Sequence, residues 1–208
     1  SLIIALDCGI KALDKIEYAS SLGIDFIICD HHLPGEELPK AFAVLDPKRT
    51  DCRYPYKELS GCGVGFKLCQ GLNTIYKIPE NELYELTDLL AISIAADIVA
   101  MTGENRVLAK LGLKTLRKTR KLGIRLLIPE EKIATFDISN IVFEIAPKIN
   151  AAGRISHGKA AVELMISDNL KHAHQIVDDI LNLNDSRREL DANTTQSAFN
   201  QVIETQQE

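Results

Sequence analysis

Two short apolar runs, each followed by an acidic residue, constrain the fold of this chain more than any other feature. The runs at 2–6 and 25–29 are too short for helices and rich in branched side chains, which predicts buried strands. Between them, apolar residues recur at near-helical spacing over 10–22 and stop at Gly23, which favours an amphipathic helix. A strand, a helix and a strand within about 30 residues form a βαβ unit, whose two strands are parallel.

The rest of the chain is predicted to add one strand and several helices. A third apolar run over 41–45 ends at Asp46, and the residues of 48–60 favour a loop. Helical patterns follow over 62–77, 81–99, 105–121, 137–146 and from Asn169 to the end. The predicted fold class is α/β, with a parallel sheet flanked by helices, then a helical region and a long C-terminal helix that is polar all round over 184–197.

Composition limits the function classes. Hydrophobic residues make up 46% of the 208 and charged residues 25%, which is typical of globular proteins and excludes a disordered chain. No run approaches about 18 apolar residues and no export leader is visible, so we expect a cytoplasmic protein with no membrane span. Because the net charge is −5, a nucleic-acid site would need a local basic patch or a metal ion.

Polar residues follow two neighbouring strands of the predicted sheet. Asp7 comes after the first strand, and Asp30, His31 and His32 come after the second. The carboxyl ends of parallel strands meet at one edge, where ligands bind in open α/β sheets. Carboxylate and imidazole ligands together suit Mn²⁺ or Mg²⁺. The alternative for Asp7 alone is that it caps the following turn, as aspartate often does.

Asp97 is a further candidate, because it lies within the apolar segment 91–101. An unpaired buried carboxylate costs several kcal/mol, so we expect a metal ion or a strong hydrogen-bond donor beside it. The alternative is a salt bridge to a nearby cation such as Arg106.

Three segments outside the strand ends could also contact a ligand. Gly61–Gly65 lacks the third glycine of a dinucleotide fingerprint, so it favours close packing of a helix start, with phosphate contact by backbone N–H groups as the alternative. The basic run 114–125 favours a solvated helix end, with a DNA-facing surface as the alternative. In the loop predicted after Pro147, small residues beside an arginine leave room for phosphate. The candidates there are Asn150, Arg154 and His157.

Five ordered segments carry a resemblance to a known family: LDCG, DHH, SGCGVGF, AADIV with TGENR, and INAAGR. They resemble the DHH phosphoesterase superfamily, and the last three resemble its RecJ-type single-stranded-DNA exonucleases. The resemblance implies that Asp7 bridges two metal ions and that His31 and Asp97 bind one of them. It also implies that His32 contacts the scissile phosphate or the attacking water, and that Asp30 fixes a histidine tautomer.

The implied activity is 5′→3′ exonucleolytic hydrolysis of single-stranded DNA, with Mn²⁺ or Mg²⁺, in DNA repair and recombination. The implied organisation is a DHH domain over 1–168 and a connector helix over 169–208 that leads to a second, DHHA1-type domain. Since the family's paired-aspartate motif does not occur before Ser1, we expect this chain alone to bind metal poorly and to be nearly inactive. The alternatives are a DHH phosphodiesterase of short oligonucleotides or cyclic dinucleotides, and a non-catalytic module that binds single-stranded DNA or a replication partner.

Overall fold

A computed structural model describes residues 1–155 and 158–206, with the backbone alone for 152–155 and 206. The chain forms two compact units. One comprises Ser1–Thr119 with Phe136–Ser139, and the other comprises Arg120–Thr135 with Asn140–Glu208. The division at 168/169 rests on the family resemblance and stays a prediction.

The first unit contains the predicted parallel sheet. Its strands are β1 (Leu2–Leu6), β2 (Asp25–Cys29) and β3 (Ala43–Leu45), in the order β1-β2-β3, and helix α1 (Leu13–Ser21) connects the first two. Leu6 pairs with Cys29, and Cys29 pairs with Leu45. The three strands therefore end level with one another, and the residues that follow them share one edge of the sheet. The βαβ prediction is confirmed.

The predicted burial holds for β2 and is wrong for β1. Ile28 and Cys29 have no exposed surface, whereas Leu2 and Leu6 are each 54% exposed. β1 lies at the edge of the sheet, and its side chains receive little cover from the described residues. An apolar run shows only that its side chains favour burial. Whether they are buried depends on other elements that pack against the strand.

Four helices complete the first unit. They are α2 (Gly61–Tyr76), α3 (Glu80–Tyr84), α4 (Thr87–Ala96) and α5 (Gly103–Leu116). Leu59, Val64, Phe66, Leu90, Ile94 and Leu108 form much of the core. The side chains of α4 are buried on most sides.

The single helix predicted over 81–99 is wrong. It is divided into α3 and α4, although no glycine or proline marks the break. Asp97 does not lie inside the helix but caps its end, and Ile98 has a left-handed φ of 53°. Because a left-handed residue cannot continue an α-helix, the chain turns away here and the carboxylate is placed at a helix terminus.

The second unit is helical in its described part. It contains α6 (Leu122–Leu127), a 3₁₀ turn (Glu130–Lys132), a π-helical segment (Ile141–Ile145) and the helices α8 (Ala146–Ile155), α9 (Lys159–Ile166) and α10 (Leu170–Gln206); the short α7 (Ile138–Asn140) leads into the π-helical segment. No described helix is both long and apolar enough to cross a membrane.

The prediction that Pro147 ends a helix, with a loop behind it, is wrong. Pro147 is the second residue of α8, which continues to Ile155. The preceding segment is π-helical, so regular α-helical hydrogen bonding is already interrupted there. A proline in the first turn of a new α-helical segment is tolerated, because a backbone N–H at that position would have no acceptor within the helix.

Candidate metal centre

The site is formed by residues that follow the strands. The backbone N–H of Asp7 donates to the carbonyl of Cys29 (2.8 Å), and that of Asp30 donates to the carbonyl of Leu45 (3.0 Å). Asp7 has a φ of 63°, a left-handed conformation that aspartate adopts more readily than most residues. This bend turns the chain out of β1 immediately after the last paired residue.

His31 lies between two carboxylates from distant parts of the chain. Its Nε2 atom is 3.1 Å from Oδ1 of Asp7 and 3.2 Å from Oδ2 of Asp97. The imidazole is buried, while the two carboxylates remain 56% and 38% exposed. The structure thus brings together three side chains that the sequence separates by up to 90 positions, on one side of the first unit.

The contact of the other ring nitrogen determines the tautomer of His31. Nδ1 lies 3.0 Å from the carbonyl oxygen of Leu59, which can only accept, so Nδ1 carries the proton. In the neutral ring Nε2 then carries a lone pair. Nε2 is buried and has no hydrogen-bond partner among the described residues, although both carboxylates are close. Two carboxylates that face one imidazole lone pair in this way suit a divalent cation.

Asp30 supports the cluster from behind. Its buried carboxylate accepts backbone N–H groups of Ile10 (3.0 Å), His31 (2.8 Å) and His32 (3.3 Å). Burial acts to raise the pKa of Asp30, but these hydrogen bonds and the one from the His32 ring outweigh it and leave the pKa lowered. Asp30 is therefore a fixed anion.

His32 is held by that anion. Its Nδ1 is 2.7 Å from Oδ1 of Asp30, and this hydrogen bond raises the pKa of His32. The ring is 59% exposed. One donor atom from each of Asp7, His31 and His32 lies within 4.8 Å of the others. His32 is thus positioned beside the cluster and open to a ligand.

Charge repulsion within the cluster also favours a cation. Burial is the main cause that raises the pKa of Asp7, and the nearby Asp97 adds to it while His31 opposes it. A bound divalent ion would remove the repulsion between the two carboxylates.

Gly61 contacts the site, and it begins the segment for which the sequence favours close packing of a helix start, with phosphate contact as the alternative. A Cβ atom at this position would lie 2.0 Å from Oδ1 of Asp7 and 2.6 Å from its Cβ. Gly61 begins α2, and Ser60 caps the helix by accepting the N–H of Gly63 (3.1 Å). The glycine-rich segment therefore does pack a helix start closely, and what it packs against is the carboxylate of Asp7.

Leu59 and Asn105 are contributors that the sequence analysis missed. The amide of Asn105 donates to the carbonyls of Ala100 (3.0 Å) and Glu58. It thereby joins the segment after Asp97 to the segment before Leu59, whose carbonyl orients His31. Backbone carbonyls carry no residue-type signal, so only the buried polar pattern around Asn105 could have indicated this contact.

The remaining candidates are not brought to the centre in the described structure. Arg106 is exposed, and no ion pair with Asp97 is recorded between these two described residues. Asn150 is exposed on α8, so the predicted loop around it is helical. Arg154 lies on the same helix, and its side chain is outside the described part. His157 lies outside the described residues altogether.

The chain is similar to known proteins over most of its length. Residues 1–94 match the DHH family, N-terminal domain. The chain is 41% identical to the single-stranded-DNA-specific exonuclease RecJ of Bacillus subtilis over 207 residues, which is 97% of this chain and 25% of that protein. It is 35% identical to the Escherichia coli protein of the same name, over 91% of this chain and 35% of that protein. The chain thus spans about a quarter to a third of these relatives.

Solved structures of exonuclease RecJ are also similar to this chain. A crystal structure of exonuclease RecJ bound to manganese matches 96% of this chain and 50% of that one, with a TM-score of 0.86 and 31% identity. RecJ from Thermus thermophilus in complex with Mn²⁺ matches 94% of this chain and 29% of that one, with a TM-score of 0.81 and 28% identity. Residues 1–94 therefore belong to the DHH family, and the chain resembles the RecJ exonucleases over nearly its whole length.

Proposed function

We propose that this chain is the metal-binding part of a RecJ-type exonuclease that hydrolyses single-stranded DNA. The observation that carries the proposal is the buried Nε2 of His31, which faces the carboxylates of Asp7 and Asp97 without a hydrogen-bond partner among the described residues. The relatives named for this activity support the substrate class.

In this proposal Asp7, His31 and Asp97 would hold a divalent ion, Mn²⁺ or Mg²⁺, and the family resemblance implies a second ion for which Asp7 would also be a ligand. When bound, such ions lower the pKa of water and neutralise charge on phosphoryl oxygens. The Leu59 carbonyl keeps the proton of His31 on Nδ1, so that Nε2 stays available as a ligand.

His32 has a different task. Asp30 anchors its Nδ1 and raises its pKa, which favours a protonated, positively charged ring. The exposed part of the ring then donates a hydrogen bond to a phosphate oxygen of the substrate. His32 is therefore proposed to bind the scissile phosphate and Asp30 to orient it.

Finer assignments follow the resemblance. We propose 5′→3′ polarity, a cytoplasmic location and a role in DNA repair and recombination on that basis. Asn150, Arg154 and His157 remain proposed contacts to the phosphate backbone.

The first test is metal affinity. The substitution His31→Gln removes the Nε2 ligand, and we expect the Kd for Mn²⁺, measured by calorimetry on the longer protein that contains this chain, to rise by at least about tenfold. The matched control is His172→Gln, because His172 is exposed on α10 in the other unit. Equal Mn²⁺ affinity in the unaltered chain and both variants would refute the metal centre.

The second part of the test measures which substrate is cleaved. In the longer protein that contains this chain, we expect Mn²⁺-dependent release of mononucleotides from single-stranded DNA, lost after chelation and lost with His31→Gln. Equal digestion of duplex DNA, or faster turnover of cyclic dinucleotides, would refute the substrate assignment while leaving the metal centre in place.

A further inference from the structure

Positive charge is concentrated in one stretch of this acidic chain. Residues 105–129 contain eight lysines and arginines and no acidic residue, which leaves 16 cations against 29 acids elsewhere. The proposed metal centre uses none of these cations.

Helix α5 arranges part of this charge along one face. Arg106, Lys110 and Lys114 follow one another at intervals of four, and Lys118 lies one interval further, in the turn that ends the helix. All four are exposed. At about 1.5 Å per residue, neighbouring members lie about 6 Å apart along the axis, and the three within the helix share a sector of about 80°. We call these four residues the α5 basic face.

The opposite face of α5 is committed to the core. Asn105, Leu108, Ala109, Gly112 and Leu116 are buried there. The orientation of the basic face is therefore fixed by packing. No ion pair or side-chain hydrogen bond is recorded for the four cations within the described part of the chain. Helices normally balance such charge with acids at i,i+4, and α5 has none in this role.

The basic face begins at the end of the α4–α5 pair that carries Asp97. α4 and α5 are antiparallel neighbours, since Thr87 at the start of α4 meets Thr115 near the end of α5 (Oγ1–Oγ1 2.9 Å). Asp97 caps the end of α4, so it lies at the end of the pair where α5 begins and where Arg106 is located. Lys118 marks the far end, about 18 Å from Arg106 along the axis.

A regular row of cations that starts at this end of the pair fits a repeating polyanion such as a nucleic-acid strand. We propose that the α5 basic face binds the sugar-phosphate backbone of single-stranded nucleic acid and leads the strand to the metal centre, which rests on the proposed function. The contacts are electrostatic and independent of base sequence.

The test is binding of labelled dT20 to the 208-residue chain, measured by fluorescence anisotropy with chelator present and at several salt concentrations. The variant is Lys110→Gln/Lys114→Gln/Lys118→Gln, since glutamine matches lysine in helix propensity. Affinity should fall several-fold, and the slope of log K against log salt should become shallower by about 2, at roughly 0.7 for each lost contact with a single strand.

A charge-matched control separates a surface from an effect of net charge. Lys15→Gln/Lys40→Gln/Lys171→Gln removes three exposed lysines elsewhere, and it should leave the slope unchanged. Equal loss in both variants, no loss in either, or no measurable affinity of the unaltered chain for dT20 would overturn the proposal. So would a variant that keeps its DNA affinity but loses binding to vesicles containing phosphatidylserine.

Failure of this proposal and failure of the proposed function give different results. The α5 variant should bind Mn²⁺ like the unaltered chain, and His31→Gln should keep the DNA affinity measured with chelator. If His31→Gln leaves the Mn²⁺ affinity unchanged, the metal centre is refuted. If the slope of log K against log salt is unchanged in the α5 variant, only the basic face is refuted.

Discussion

The two nitrogens of His31 are in opposite situations, and this difference is what makes the cluster chemically specific. One nitrogen donates to a backbone carbonyl, and the other faces two carboxylates. The sequence could indicate Asp7, Asp30, His31 and His32 because each follows a strand. It indicated Asp97 because a carboxylate in an apolar segment needs a partner, although its place at a helix end was not foreseen.

Gly61 shows what residue types alone leave hidden. Its motif predicts a tight helix start, but only the folded chain shows that the tight contact is with a proposed metal ligand. We predict that Gly61→Ala displaces the Asp7 carboxylate, because the added carbon would lie 2.0 Å from Oδ1. The Kd for Mn²⁺ should rise by about 10- to 100-fold, as found when groups that position metal ligands are altered. Calorimetric titration measures this change.

Gly63→Ala is the matched control, since it adds the same atom in the same helical turn. Its new carbon would meet its nearest neighbour, Oγ of Ser60, at 3.4 Å, which is an ordinary contact. We expect Mn²⁺ affinity to be unchanged in this variant. A similar loss of affinity in both variants would show that helix packing in general, rather than the Asp7 contact, governs the site.

Helices and strands were predictable where their patterns are simple. The apolar runs of β1 and β2 and the helical spacing of α1 are clear signals, whereas the sequence between α3 and α4 carries no local signal of a break. The passage of the helix through Pro147 depends on a π-helical segment that no periodicity indicates. The end of α4 sets the position of Asp97. Because the sequence does not indicate where α4 ends, it does not indicate where this proposed metal ligand lies either.

The α4–α5 contact gives a test of packing between elements. A Cβ atom on Gly112 would lie 2.1 Å from the carbonyl oxygen of Thr87 and 2.8 Å from Cβ of Ala91. The helices can approach this closely only because residue 112 has no side chain. We predict that Gly112→Ala lowers the free energy of unfolding by about 1–3 kcal/mol, since the backbones must separate. Urea denaturation measures the change.

Gly71→Ala supplies the opposite expectation. Gly71 also lies inside a helix, α2, but apart from the neighbouring backbone of that helix no atom of the described residues lies within 4 Å of an added Cβ. Here the substitution should raise the free energy of unfolding by about 0.5–1 kcal/mol, because alanine loses less backbone freedom than glycine in a helix. If both alanine variants were stabilised, the close α4–α5 contact would be disproved.

Positive charge and the burial of side chains are both distributed unevenly along the chain. Cations gather in 105–129, while the exposed apolar side chains of β1 and the polar later half of α10 show that neither element is covered along its length by described residues. The polar stretch of α10 was predictable from composition. The exposure of β1 was not, because burial depends on what surrounds a strand and not on its own residues.

The two halves of α10 should therefore differ in stability. Ala173, Ile176 and Ile180 are buried in the first half, whereas residues 189–205 are exposed on all sides. An isolated helix of about 16 residues is marginal in water, so its hydrogen bonds should open at little cost in free energy. We predict that hydrogen–deuterium exchange is at least about tenfold faster over 190–205 than over 172–184.

The substitution Ile176→Ala provides the internal control for this exchange experiment. Loss of a buried side chain should speed exchange in the first half, because packing holds that half, and should leave the second half unchanged. Equal protection along α10 in the unaltered chain would show instead that residues 190–205 are covered in solution. The apolar Leu190, Phe199, Val202 and Ile203 would then be the side chains responsible, since they are the large apolar groups in that segment.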